Sequence, residues 1–191
     1  MADPRNAEVG ARDGHWQPRH NPWLIAVAVM AATFMEILDT SVANVALPHI
    51  AGNLASTTEE ATWVLTSYLV SNAIVLPITG WLGLYFGRRN LLIMCIALFT
   101  VASVLCGLAP DLGFLIVARI FQGIGGGAML PISQAALLES FPPEKQGVAM
   151  ATFGMGVVVA PILGPTLGGW ITDNFSWRWI FFINVPVGIF A

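Results

Sequence analysis

Between residues 23 and 191 the polar positions fall into short clusters, and the stretches between them are apolar on every side. The run LLIMCIALFTVASVLCGLA (91–109) is typical: it shows no alternation of polar and apolar residues, so it cannot be a strand with one face to lipid and one to water. Helices are required. A bilayer core of ~30 Å takes about 20 apolar residues per crossing, and the pattern supplies them at 23–47, 62–84, 91–108, 112–138 and 146–171. A sixth segment opens at 179 and reaches the chain end at 191, which gives only ~20 Å of helix. The expected fold is an all-α membrane protein whose bundle is cut off inside its sixth span.

Composition agrees. Of 191 residues, 56% are hydrophobic and 10% charged, with mean hydropathy +0.73. Soluble domains carry about 25% charged residues, so lipid must solvate most of this surface. Net charge is −3 and no basic cluster is large enough for nucleic acid. Residues 1–22 are polar, with Pro4, Pro18 and Pro22, and read as a disordered tail. No cofactor is implied, and no Cys/His spacing resembles a metal site. His15 and His20 lie in the tail and His49 at a helix end. Cys95 and Cys106 are about three helical turns apart, ~16 Å, too far for a disulfide.

Orientation follows from the basic residues flanking the spans. Arg5, Arg12, Arg19, Arg88, Arg89 and Lys145 fall on one side, and Arg178 alone on the other. The N-terminus is therefore expected in the cytoplasm, with Glu59 and Glu60 facing outward.

Charges inside the spans carry the candidate chemistry. A charged residue at a span centre costs about 2.5–3.5 kcal/mol on insertion scales and usually has a partner and a task. Glu36 and Asp39 are one turn apart on one face of span 1, with Thr33 and Thr40 near the same stripe; Arg119 lies in span 4. Asp39 is ~12 Å and Arg119 ~10 Å from the outer ends of their spans, so the two can pair if those spans are neighbours. Gln122, one turn from Arg119, can share its surroundings. Two readings stay open: a static ion pair that fixes packing, or a carboxylate whose proton affinity answers to Arg119 and to water. Glu36 favours the second, because one arginine neutralises only one acid; on that reading Glu36 and Asp39 are both expected to carry the proton and to attract cationic substrate. Glu139, at the cytoplasmic end of span 4, can reach water. No His/Asp or Ser/His constellation sits at matched depth, so no enzyme is expected.

Glycine and proline mark the mobile or tightly packed places. In span 5, Gly156, Ala160, Gly164 and Gly168 recur every four residues, a stripe that admits another helix, while Pro161 and Pro165 invite kinks. Gly123 and Gly127 form a similar pair in span 4. Gly80 and Gly87 are expected to bracket a tight turn before Arg88 and Arg89.

These segments resemble, in order, the motifs of the fourteen-span drug:proton antiporters of the major facilitator superfamily: ILDTSVANVALP (37–48), GWLGLYFGRR (80–89), RIFQGIGGG (119–127), APILGPTLGG (160–169, ending in Gly168 and Gly169) and WRWIFFINVPVG (177–188). The resemblance implies the N-terminal six-helix bundle of that fold, with spans 1 and 4 lining a central cavity. It implies a second, C-terminal transmembrane half beyond this chain and alternating access between the halves. It further implies proton coupling at Arg119, an export direction set by span 5, and hydrophobic or cationic drugs as substrates. One branch of the family works with a periplasmic adaptor and an outer-membrane channel, implying a bacterial inner membrane. The loop motif usually carries an acid where this chain has Leu84, which removes one partner of the usual latch. An importer on the same scaffold, or a fragment that only assembles and does not transport, are the alternatives.

Overall fold

The computed structural model describes residues 21–191. Apart from Asn21 and Pro22, the expected tail lies outside the described residues, as do Arg5, Arg12, His15, Arg19 and His20.

Ten helices build the bundle among the described residues: α1 (Pro22–Asn53), α2 (Thr58–Ala61), α3 (Trp63–Val75), α4 (Thr79–Phe86), α5 (Arg88–Gly107), α6 (Leu112–Gly126), α7 (Met129–Ser140), α8 (Pro143–Asn174), α9 (Trp179–Phe182) and α10 (Asn184–Phe190). Five stretches are long and apolar enough to cross a membrane: α1, α2 to α4 together, α5, α6 with α7, and α8. The all-helical membrane architecture is therefore as the sequence indicates.

Local chemistry sets the element ends. Asn21 caps α1 by accepting from Trp23 N (3.0 Å), and Pro22 stands at the first helical position, where its missing N–H is not needed. The helix then runs past Pro48 to Asn53, farther than the sequence pattern indicates, since a proline inside a membrane helix loses one bond without ending it. The α1–α2 connection closes with a capping box: Thr57 Oγ1 accepts from Glu60 N (3.1 Å), and the Glu60 carboxylate accepts from Thr57 N (2.8 Å).

Three expected single segments are broken: spans 2 and 4, and the sixth, which is split at Ile183 into α9 and α10. Span 2 passes through a 3₁₀ turn at Leu76–Ile78, around Pro77. Span 4 is interrupted at Gly127 and Ala128, just before Pro131. The expected turn between Gly80 and Gly87 is corrected: Gly80 lies inside α4, and Gly87 alone makes the turn, at φ +77°, a conformation that only glycine adopts cheaply. Arg88 and Arg89 are consequently the first residues of α5 rather than loop residues.

Glycines bring the helices together. A Cβ on Gly123 would lie 2.0 Å from Ser71 Oγ, and one on Gly125 2.8 Å from Phe99 N, so α6 presses directly on α3 and α5. On α8, a Cβ at Gly164 would lie 2.2 Å from Ser41 Oγ, and one at Gly168 3.0 Å from Val42 Cγ1. The helix admitted by that stripe is α1. Pro165 has no N–H for the carbonyl of Pro161, and the Ser41 hydroxyl donates to that carbonyl instead (3.3 Å). α1 thus both packs against α8 and satisfies its proline break.

Gly164→Ala should destabilise the bundle by about 1–3 kcal/mol, because the neighbouring Ser41 Cβ cannot swing away. Gly169→Ala, at a position with open space around it among the described residues, should be silent. Thermal unfolding in detergent of the two variants side by side measures the difference.

Candidate functional site

Arg119 is fully buried; Nη1 and Nε find acceptors, while Nη2 finds none among the described residues. Nη1 donates to Asp39 Oδ2 (2.5 Å) and to Gln122 Oε1 (2.8 Å), and Nε donates to the Val64 carbonyl (3.0 Å). The Tyr68 ring lies 4.2 Å from the guanidinium carbon, where its π face attracts the cation. The expected pairing of Asp39 with Arg119 is present, and Gln122 joins it.

Asp39, 2% exposed, is held from two further sides. Its Oδ1 accepts from Gln122 Nε2 (3.0 Å) and from Asn184 Nδ2 (2.6 Å). Ser103 accepts from both amides, at 3.2 and 2.9 Å, and donates to the Phe181 carbonyl (2.8 Å). Side chains from α1, α5, α6 and α10 therefore close one network around a single neutralised charge pair. Both Asp39 carboxylate oxygens are thus hydrogen-bonded, and the side chain is almost fully buried.

Glu36 is placed differently. It lines a cavity of about 500 Å³ together with Thr40, Asn44, Tyr68, Asn72 and Pro161. Asn72 Nδ2 donates to its Oε1 (3.1 Å), while Oε2 is buried and finds no partner among the described residues. The two acids on one helical face thus serve unlike surroundings, one locked and one bordering open space.

The other sequence candidates lie apart from this centre. Arg88 pairs with Glu139 across the α4–α5 and α7 ends; both are well exposed, so the pair is worth at most about 1 kcal/mol. Arg89 and Gly80 are exposed, and Leu84 is 86% exposed on α4. A Cβ on Gly156 would meet Met30 Cε at an ordinary 3.5 Å. Pro161 reaches the cavity wall, Gly164 and Gly168 meet α1, and Pro165 acts through the bond to Ser41. Sequence reasoning missed Asn72, Ser103 and Asn184. Each is a lone uncharged polar residue in an apolar run, a signal available in the sequence but not weighed beside the charges.

The fold and the buried charge centre are those of a membrane transporter bundle: residues 29–191 match the Major Facilitator Superfamily, and the chain belongs to that family. Among its relatives, the Multidrug export protein EmrB of Haemophilus influenzae is 52% identical over 166 residues, 87% of this chain and 32% of that protein. The Fatty acid resistance protein FarB of Neisseria gonorrhoeae is 50% identical over 87% of the chain, and EmrB of Escherichia coli 49% over the same share. The chain spans about a third of the length of these relatives. A crystal structure of a bacterial homologue of the human lysosomal transporter Spinster matches the fold with TM-score 0.71 at 20% identity, over 90% of this chain and 41% of that one.

Removing Asp39 alone strands a buried guanidinium, which costs about 3–5 kcal/mol. Asp39→Ala should therefore sharply reduce the yield of folded, monodisperse protein, and the neutral pair Asp39→Asn with Arg119→Gln should recover part of it. Size-exclusion profiles of the two variants, extracted in parallel, check this.

Proposed function

We propose that this chain supplies the N-terminal half of a proton-coupled exporter of hydrophobic or cationic compounds in a bacterial inner membrane. The second half comes from further chain. Glu36 is the carboxylate that exchanges protons and attracts cationic substrate. Asp39, Arg119 and Gln122 form the fixed electrostatic frame that holds Glu36 in place and sets its surroundings.

The observation that carries this reading is the contrast between the two acids. A proton carrier needs access to water or substrate and a free oxygen atom; Glu36 borders the cavity and has an unengaged Oε2 among the described residues, whereas Asp39 is saturated by Arg119, Gln122 and Asn184. The mixed lining, with Thr40, Asn44 and Asn72 beside Leu65, Leu69 and Ile37, suits an amphipathic guest. The EmrB relatives, multidrug export proteins, support this substrate class, and FarB, a fatty acid resistance protein, extends it toward fatty acids. In this reading the span 5 motif, with Gly156, Pro161, Gly164, Pro165, Gly168 and Gly169, and the segment of Gly80, Gly87, Arg88 and Arg89 serve the rocking of one half on the other. Arg88, Arg89 and Lys145 face the cytoplasm by the positive-inside rule. A periplasmic adaptor and an outer-membrane channel complete the export route.

Glu36→Gln keeps an acceptor for Asn72 and should leave insertion intact, yet abolish proton-driven drug transport in inverted vesicles containing the complete transporter. Transport in that variant at the wild-type rate contradicts the assignment, and proton-driven movement in the opposite direction identifies an importer.

A further inference from the structure

Most helical hydroxyls in this bundle bond to a carbonyl one turn back. Thr40, Thr79, Thr100, Ser140, Thr152 and Thr172 all do so. Thr33 on α1 and Ser133 on α7 do not, nor does Ser67 on α3. Thr33 is 1% and Ser133 0% exposed, and neither oxygen finds a partner among the described residues. Burying a hydroxyl without a partner is destabilising, so a position that only had to be filled is better served by Val or Ala.

The two lie at one level between α1 and α7. Ala26 and Val29 share an apolar cluster with Leu137 and Phe141, while Ala32 and Met35 share another with Met129 and Ile132. Residue numbers thus rise along α1 as they fall along α7, which sets Ser133 opposite the α1 turn that ends at Thr33. One turn farther along the same α1 stripe stands Glu36, whose Oε2 is buried and, like the Tyr68 hydroxyl, without a partner among the described residues. An internal water needs two to four polar partners, about what these groups offer.

We propose that Thr33 and Ser133 hold water between α1 and α7, and that this water receives the proton released by Glu36 toward the membrane face bearing Arg88, Glu139 and Lys145. The inference rests on the reading of Glu36 given above. The O–H bond of the Glu36 carboxyl breaks, the proton passes to the water, and the carboxylate remains to meet the next proton or cation. The charged and titratable groups around Glu36 are Tyr68 on α3, the Cys95 thiol on α5, Asp39 one turn along α1, and Arg119 on α6 bound to Asp39. α7 brings no charge before Glu139. Beyond Ser133 the passage is shut by Leu137, Phe141 and Phe153, packed on Ala26 and Val29. That cluster must part before the proton leaves, which makes it the gate of this exit.

The test uses the complete transporter in proteoliposomes with Thr33→Val, Ser133→Ala and the double variant, beside Glu36→Gln. Gradient-driven transport should fall at least about tenfold in the double variant. Substrate exchange at equal pH, which needs no net proton release, should stay at the wild-type rate. Thr33→Ser, which keeps the hydroxyl, should restore gradient-driven transport. A purely structural role for the two hydroxyls predicts the opposite: variants as active as wild type and at least as heat-stable. Wild-type gradient-driven transport in the double variant overturns the inference if Glu36→Gln is inactive, and activity of Glu36→Gln overturns the parent reading instead. Should the double variant fail to reach the membrane, Ser133→Ala, which deletes one oxygen atom, decides in the same assay.

Discussion

A guanidinium in the middle of an apolar bundle must be neutralised and hydrogen-bonded at the same time, and much of this structure is arranged around that demand at Arg119. Asp39 supplies the charge, Gln122 and the Val64 carbonyl supply acceptors, and Tyr68 supplies a π face. Satisfying Asp39 in turn draws in Asn184 and Ser103, so the start of the sixth span is tied to α1 and α5 through polar contacts rather than through apolar packing alone. Such a network is costly to disrupt at any one member. It fixes α1 against α6, and with α1 fixed, Glu36 is set one turn away beside the cavity.

The same rigid placement organises the other face of α1. Ser41, two residues beyond Asp39, enters the space left by Gly164 and answers the carbonyl freed by Pro165. α1 is therefore the element through which the charge centre, the cavity and the kink region of α8 are in mechanical contact. In the proposed transport cycle, a change of charge at Glu36 occurs on the helix that also carries the α8 contact, and no separate relay between the two is needed.

How much of this was legible beforehand follows from what each residue announces. Span count and helix type were plain, because a continuous apolar run has no other stable form in lipid. The Asp39–Arg119 pair was legible as a possibility from similar depth, which required spans 1 and 4 to be neighbours. The breaks in spans 2 and 4 were not: prolines at 48, 161 and 165 leave their helices continuous, whereas Pro77 and the stretch before Pro131 do not, and only the neighbouring helices decide which. Asn184, Asn72 and Ser103 were silent because an uncharged polar residue in a span pays little and so signals little. The different lots of Glu36 and Asp39 were also illegible, for spacing puts them on one face but does not say which meets the cavity. The roles given to these residues remain the proposal that the geometry supports.

The central claim is that Glu36, and not the arginine-bound Asp39, gives up a proton when substrate arrives. The most direct measurement is proton release into lightly buffered detergent solution on adding a cationic substrate to the purified complete transporter. The account predicts a release that vanishes in Glu36→Gln although substrate still binds. An undiminished release from Glu36→Gln would contradict it and move the exchanging proton to another group.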